Sequence, residues 1–297
     1  MQRLLILLAC LLSVACAPQQ TRPSKLPDQP QDHLIDEQMI DLVAGRFSNH
    51  FRSIDGTATE HHFSVLAEAP DGGVILHQRH YRGSDREPSR AMAYSLASGV
   101  QQAYQGNDGV SVDSGFESAG ELLKHFTPLD DCHMEWLSQD GQVLLQTPED
   151  KPCSIGETEN AVSISQQLRF DIDTLYLSQQ FKMGDRSEQY EQEFRRVRHY
   201  RGWIGFRDRL SRHPGQWHRR ESVELADNGE RTEILLPTSG RRLEVELSRQ
   251  RFPRTGMELL QIKVIEQGEL IASAWASPES ESVGLHLDWL QIGMSRQ

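Results

Sequence analysis

The chain has 297 residues, 37% hydrophobic and 25% charged, which is enough for one large globular domain and a smaller one. Its formal net charge of -12 argues against a general nucleic-acid binder. The sequence contains no glycine-rich phosphate loop, Gly-x-Ser-x-Gly elbow, His-Glu-x-x-His or Cys-x-x-Cys motif, so common nucleotide, hydrolase and redox sites are not expected.

The first residues predict an export signal. An apolar run over residues 4–12 follows a single arginine and is too short to span a bilayer, as in a secretory leader. Ala15 before Cys16 resembles a bacterial lipobox, so residues 1–16 are interpreted as a lipoprotein signal peptide and Cys16 as the lipidated first residue of the mature protein. Ser13 departs from the lipobox pattern, which leaves plain signal cleavage as the alternative.

A lipid on Cys16 would make the protein exported and anchored in the cell envelope. Ala17 carries no inner-membrane retention signal, so we expect the outer membrane, facing the periplasm, if the cell is Gram-negative. Residues 17–31 are rich in Pro, Gln and Ser and nearly devoid of apolar residues, which predicts a flexible tether between lipid and domain.

The cysteines predict one disulfide bond. If Cys10 leaves with the leader and Cys16 is acylated, Cys132 and Cys153 remain in an oxidising compartment and are expected to pair. Closing a loop of about twenty residues should stabilise the fold by roughly 3 kcal/mol. The alternative is a reactive thiol or a metal pair, although the loop offers no further ligands.

Residues 32–206 are predicted to form one all-β domain with one or two short helices. An amphipathic helix begins near Asp32, and a second short helix is expected over residues 118–126. Between and after them, short alternating runs separated by Gly and Pro turns, including a hairpin at Asp140-Gly141, give eight to ten antiparallel strands. This spacing is typical of a closed barrel or a sandwich.

The segment Leu129-Asp130-Asp131-Cys132-His133-Met134-Glu135-Trp136, the following Asp-Gly turn, Cys153 and the strand pair ending in Arg198-His199-Tyr200 resemble the C-terminal half of the CpcT/CpeT family of bilin (chromophore) lyases. Upstream, residues 41–49 resemble the opening signature of that family, a helix ending in Gly-x-Phe-Ser-Asn. The resemblance implies a calycin-type antiparallel β-barrel similar to the lipocalins, which can hold one small ligand.

The resemblance also implies a reaction. A lyase of this kind binds a linear tetrapyrrole in the barrel and presents it to a cysteine thiolate of an acceptor protein, so the lyase supplies orientation and electrostatics while the partner supplies the nucleophile. No catalytic residue is assigned, and the bilin is the only cofactor-like molecule implied.

Candidate ligand-binding residues follow from the chemistry of a bilin. Its propionates suit arginine, whose planar fork donates two parallel hydrogen bonds, and its pyrrole N–H groups suit a carboxylate. Arg90 and Tyr94 match an arginine–tyrosine strand of the family. The full candidate set is Arg79, Tyr81, Arg90, Tyr94 and Glu135, with Glu68 and Asp171 as alternative carboxylates. The alternative interpretation is that these are ordinary solvent-facing strand residues.

Two other clusters favour structural explanations. His77 and His80 lie three residues apart, so on a strand they face opposite sides and should not share an ion; no metal site is predicted there or at His61-His62. The arginines between residues 195 and 220 form a basic block. A solvated strand end explains that block, and contact with anionic lipid headgroups is the alternative.

The C-terminal third forms a separate prediction. Residues 207–216 are interpreted as a linker, and residues 217–297 alternate in about six strands, which predicts a small C-terminal β domain of unknown role.

Three functions stay open for the whole chain: a bilin lyase; a non-catalytic lipid-anchored envelope protein that binds a small hydrophobic or tetrapyrrole-like ligand; and a structural role in envelope assembly. The corresponding partners are the membrane, a tetrapyrrole, an acceptor protein and a second copy of the chain.

Overall fold

The computed structural model describes residues 37–297, except 53–57, 67–73, 83–87, 97–100, 107–117, 156–160, 208–215, 237–238 and 253. The predicted leader, Cys16, the tether, Glu68 and most of the predicted linker therefore lie outside the described residues. None of the helices in the described ranges is both long and apolar enough to cross a membrane. Residues Leu34–Gln297 form one compact unit.

The first sheet is a closed antiparallel barrel, which confirms the predicted all-β barrel class. Its strands are β1 (Gly45–Ser48), β2 (Thr59–Leu66), β3 (Val74–Arg82), β4 (Arg90–Leu96), β5 (Gln101–Gly106), β6 (Phe126–Gln139), β7 (Gln142–Gln146), β8 (Cys153–Ile155), β9 (Val162–Phe170), β10 (Thr174–Met183) and β11 (Arg186–Arg196). They pair in the order β10-β11-β1-β2-β3-β4-β5-β6-β7-β9, and β9 also pairs with β10, which closes the wall. The short β8 extends along β9 beyond β7.

Helix α1 (Glu37–Val43) closes one end of the barrel, called the lower end below; the opposite end is the upper end. Its Met39 and Val43 are buried in the same core as Phe47 and Phe170. The rings of Phe47 and Phe170 meet edge to face with centroids 5.8 Å apart. The lower half of the barrel is therefore a packed apolar core.

Arg196 holds α1 in place. Its Nη1 donates to the Ala44 carbonyl (2.6 Å), its Nη2 donates to the Leu42 carbonyl, and its Nε donates to the Ile172 carbonyl (2.8 Å). The carbonyls at the helix C-terminus are thereby satisfied by a cation, which also suits the helix dipole. Gly45 has φ +137°, and a Cβ there would lie 2.6 Å from Arg196 Nη1, so the site requires glycine.

The second helix, α2 (Ala119–Leu123), lies outside the barrel. Ser118 caps it by accepting a hydrogen bond from the Glu121 N–H (3.2 Å). Its buried Leu122 packs with Ile75 and Ala93, which are on the outer faces of β3 and β4. These outer positions are apolar because the helix covers them.

The predicted disulfide is confirmed: Cys132 and Cys153 are bonded with Cα atoms 4.4 Å apart. The predicted hairpin turn at Asp140-Gly141 is also present, with both residues at positive φ. β7 leaves the β9 ladder at residues 147–152, where two prolines interrupt the strand, and β8 rejoins it at Cys153. The disulfide fastens β8 to β6 at this gap in the wall.

The C-terminal strands form two further four-stranded sheets. These strands are β12 (His199–Phe206), β13 (His218–Ala226), β14 (Asn228–Leu235), β15 (Arg242–Arg251), β16 (Glu258–Glu266), β17 (Glu269–Ala276), β18 (Ser282–His286) and β19 (Leu290–Arg296). The sheet orders are β13-β12-β19-β18 and β14-β15-β16-β17, and one apolar core joins them as a sandwich. The sequence places His199–Phe206 in the barrel domain, but this strand pairs with β13 and β19, so the chain leaves the barrel near residue 197.

Charged side chains join the barrel to the sandwich. Arg249 and Asp227 are both buried, and Arg249 Nε donates to Asp227 Oδ2 over 2.7 Å. The other carboxylate oxygen accepts from the Arg198 backbone N–H (2.9 Å). Arg198 in turn donates to Asp173 in the lower turn of the barrel (2.9 Å). These two ion pairs, linked by one backbone hydrogen bond, cross from the sandwich core to the barrel wall.

A second cluster at this junction centres on Glu60, on the outer face of β2. Its carboxylate binds Arg46 Nη2 (3.0 Å) and His62 Nε2 (2.9 Å) and also accepts from the Asn228 amide of the sandwich. Burial alone would raise the pKa of Glu60, but the hydrogen bond from His62 and the charge of Arg46 outweigh it and hold the pKa at about 2.

Glu60→Gln is expected to flatten the acid side of the stability curve. Because the folded-state pKa is depressed, the carboxylate contributes its stability above the usual pKa of 4.5 and loses it as the pH falls toward 2. The contribution at neutral pH is on the order of 3 kcal/mol. Urea unfolding at pH 7 and pH 3 measures it. The difference between the two pH values should shrink in the variant and stay unchanged in Glu269→Gln, an exposed control.

Candidate functional site

The inner face of the barrel changes character toward the upper end. On β10, Leu175 and Leu177 are buried in the core, and alternation places Gln179, Phe181 and Met183 on the same face. These residues and their neighbours on β9 and β11 line a groove of about 520 Å³. Its lining residues are Val162, Gln179, Phe181, Met183, Arg186, Glu188 and Tyr190.

The groove exposes apolar groups that would be core residues lower in the barrel. Met183 is 49% and Tyr190 50% exposed. The rings of Phe181 and Tyr190 meet edge to face at 5.7 Å, and the Tyr190 hydroxyl donates to Glu188 (2.7 Å). The β10–β11 hairpin extends above the neighbouring strand β1. β1 is short, and the described part of it pairs with β11 at residues 195–196.

A chain of hydrogen bonds crosses the barrel interior beneath the groove. Gln179 Nε2 donates to Gln166 Oε1 (2.8 Å), and Gln166 Nε2 donates to the Tyr94 hydroxyl (3.3 Å). The Tyr94 hydroxyl donates to Gln78 Oε1 (2.8 Å), and Gln78 Nε2 meets His61 Nδ1 at 2.8 Å. These five inner-face residues belong to β10, β9, β4, β3 and β2, so the chain spans the lumen and separates the groove from the apolar core.

Cationic side chains lie on the inner face at the upper rim. Register places Arg82 and Arg90 on the same face as His80, and both arginines are exposed. The pKa of His80 is lowered, first by burial and then by the charges of Arg82 and Arg90. Arg186 lines the groove itself. Within the described part of the chain, none of these three arginines forms an ion pair.

The sequence-predicted site residues do not gather on one face. Arg90 and Tyr94 lie on the inner face, whereas Arg79, Tyr81 and Glu135 lie on the outer face. Tyr81 is buried against the ring of His62, with centroids 4.3 Å apart. The physical reason is strand register: Arg90 is directly opposite His80, so its inner-face partners on β3 are the even-numbered residues.

The alternative carboxylates and the histidines have local roles. Asp171 caps the lower turn by accepting from the backbone N–H groups of Asp173 (3.0 Å) and Thr174 (2.6 Å). His77 faces outward against Phe126, and His80 faces inward against His61. Among the described residues, no group of three or more His, Cys, Asp or Glu side chains is placed to hold a metal ion.

The groove and the glutamines beneath it are absent from the sequence-based candidates. Glutamine in a strand is usually solvent-facing, so Gln78, Gln166 and Gln179 give no signal individually. The available signal is positional: Gln166 continues the inner face of Leu168, and Gln179 continues that of Leu177. A polar residue inside an apolar alternation marks the depth at which the packed core ends.

No known family model matches the chain, and no curated protein matches its sequence. The fold and the site therefore define it only as a protein with a closed antiparallel β-barrel, an apolar upper groove and a cationic rim.

Proposed function

We propose that the protein binds a small amphipathic molecule at the upper end of the barrel, with the apolar body in the groove and an anionic group at the rim. The observation that carries this proposal is the exposure of Met183 and Tyr190, beside a half-buried Phe181, on a face that is buried elsewhere in the barrel. The groove volume falls in the range of small-molecule sites, roughly 300–1,000 Å³. Covering these side chains removes apolar surface from water and so favours binding.

The rim supports an anionic ligand. Among the residues that the structure describes, Arg82, Arg90 and Arg186 outnumber the one carboxylate that lines the groove, Glu188, which is also hydrogen-bonded to Tyr190. Arginine recognises carboxylates with two parallel hydrogen bonds, and these three guanidinium groups need not break an ion pair with any described residue to do so. A carboxylate is therefore the anionic group that the rim suits best.

A linear tetrapyrrole is the finer form of the proposal. It combines an extended apolar body with two propionates, and the resemblance to bilin lyases supports it. A specific observation favours this candidate: Arg90 and Tyr94, which match the arginine–tyrosine strand of that family, both lie on the inner face. In the catalytic version the barrel presents the bilin to a cysteine of an acceptor protein. In the non-catalytic version it carries or senses the ligand at the envelope, anchored through Cys16.

Phe181→Glu is expected to weaken ligand binding at least tenfold, because it places a charge in the apolar groove. Fluorescence titration with a long-chain fatty acid probe, and absorbance titration with biliverdin, measure the affinity.

Arg82→Gln combined with Arg90→Gln should weaken binding of the fatty acid by about tenfold and leave binding of its methyl ester unchanged.

The matched controls lie on the sandwich. Leu270→Glu changes an exposed apolar residue of β17, and Arg201→Gln changes an exposed arginine of β12; neither should alter binding. The proposal is wrong if wild-type protein binds neither probe, or if the groove variants bind like the controls. Adding a thiol-containing acceptor after biliverdin separates the two versions, since only a lyase yields a reductant-stable adduct.

A further inference from the structure

The hydrogen-bond chain beneath the groove ends in an unsatisfied buried atom. His61 is 4% exposed, and its buried Nε2 has no hydrogen-bond partner among the residues that the structure describes. The ring packs against Phe194 (centroids 4.7 Å) and His80 (4.8 Å), and neither contact satisfies Nε2. Buried polar atoms without a partner are rare in folded proteins, so this nitrogen calls for one, and inside a barrel a bound molecule can supply it.

The chain of bonds fixes which proton His61 carries. The Tyr94 hydroxyl donates to Gln78 Oε1, so the other end of that amide, Nε2, faces His61 as a donor. His61 Nδ1 must then accept, and in a neutral imidazole the proton resides on the other nitrogen. Nε2 therefore carries the hydrogen and is a donor. Burial, followed by the charges of His80 and His62, lowers the pKa of His61 to about 3, which keeps the ring neutral.

The inner face of β11 leads from the groove toward His61. The inner face of β11 carries Glu188, Tyr190 and Gln192 in succession, and all three are exposed, whereas the next inner residue, Phe194, is buried. Phe194 is the residue against which His61 packs. From Tyr190 to Phe194 the strand rises about 13 Å. Exposed inner-face residues therefore continue along β11 from the groove to the position next to Phe194, on which His61 packs.

We propose that His61 Nε2–H is the fixed donor at the deep end of this site, and that it selects ligands whose buried end carries an uncharged carbonyl oxygen. This inference rests on the proposed function, since it assigns a chemistry to one end of the same ligand. A neutral imidazole supplies no countercharge, so a carboxylate buried against it would be costly, whereas a carbonyl oxygen satisfies the donor without a buried charge. The anionic end of the ligand stays with the rim arginines.

The test compares two probes that differ only at the far end: a long-chain fatty acid and its ω-oxo analogue, which carries a terminal carbonyl. Wild-type protein is expected to bind the ω-oxo acid about three- to tenfold more tightly than the plain acid, because its carbonyl adds one hydrogen bond to a buried donor. His61→Phe should bind both acids equally. Gln78→Met keeps the imidazole but removes the donor to Nδ1, so it should reduce the preference; this second variant serves if His61→Phe does not fold.

Imidazole nitrogen NMR gives a readout independent of affinity. The His61 resonances should show the Nε2–H tautomer in the free protein, and Nε2 should shift on adding the ω-oxo acid but much less on adding the plain acid. If neither acid binds, the proposed function fails. If both bind with equal affinity, if His61→Phe keeps the preference, or if the proton resides on Nδ1, the proposed function stands and this inference is overturned.

Discussion

Replacing Arg249 with methionine is expected to lower the free energy of unfolding by about 3–5 kcal/mol, the largest effect of any single substitution considered for this protein. Arg249 and Asp227 are 5% and 3% exposed at their side chains. Removing the guanidinium leaves the Asp227 carboxylate buried, with one remaining hydrogen bond from the Arg198 N–H. The cost arises from that stranded charge more than from the lost attraction.

The pH dependence of this loss has a definite sign. Burial raises the pKa of Asp227 above its usual 3.8 even in the presence of Arg249. A raised folded-state pKa means that ionisation of the group costs stability; this cost begins as the pH rises past the usual 3.8 and is complete above the folded-state pKa. The deficit of Arg249→Met should therefore be largest at neutral pH, should shrink once the pH falls to the raised folded-state pKa, and should disappear near the usual 3.8.

A double variant separates the stranded charge from other causes. Asp227→Leu combined with Arg249→Met removes both charges and should recover most of the loss, because a well-packed apolar pair often replaces a buried ion pair without penalty. Guanidinium denaturation of the four proteins of the cycle at pH 7 measures the coupling. A single variant that loses less than about 1 kcal/mol would mean that Asp227 finds other compensation.

Removing the disulfide is expected to lower the free energy of unfolding by about 3 kcal/mol, given a sequence separation of 21 residues. The effect should be local as well as global. β8 is three residues long and, among the described strands, pairs only with β9, so the bond to Cys132 is its covalent link to β6. Limited proteolysis should then cut first within residues 147–155.

The control is the double variant Cys132→Ala, Cys153→Ala, compared with wild type with and without reductant. Reductant should shift the denaturation midpoint of wild type to that of the double variant and leave the double variant unchanged. A reductant-sensitive double variant would show that another thiol is responsible, and an unshifted wild type would show that the wall at β8 is stable without the bond.

Short-range features of the fold were accessible from the sequence. The hairpin at Asp140-Gly141 follows from turn chemistry, and the Cys132–Cys153 bond follows from the exclusion of the other two cysteines. The all-β class follows from alternation repeated at short intervals. Each of these depends on residues close together in sequence or on residue types with few options.

Long-range register was not accessible. Arg79 and Tyr81 match a ligand-binding chemistry, but a single residue of register decides whether a side chain enters the barrel, and both point outward. Strand His199–Phe206 has an alternation that suits either sheet, and only its pairing with β19 near the C-terminus places it in the sandwich. The chain through His61 is likewise assembled from five strands, and each residue is unremarkable in its local sequence.

The joining of β1 to β11 bears on how the molecule is made. Arg196, which secures α1, follows Ala44 by 152 residues. Ribosomes add about 5–20 residues per second, so β11 leaves the ribosome roughly 8–30 s after β1. During that time β1 lacks its pairing partner on that side. Closure through so distant a pairing is intrinsically slow, because the entropy of a long loop is lost before the contact forms. Newly made chains thus present an unfinished cylinder, with an unpaired strand edge at β1, until the last barrel strand emerges.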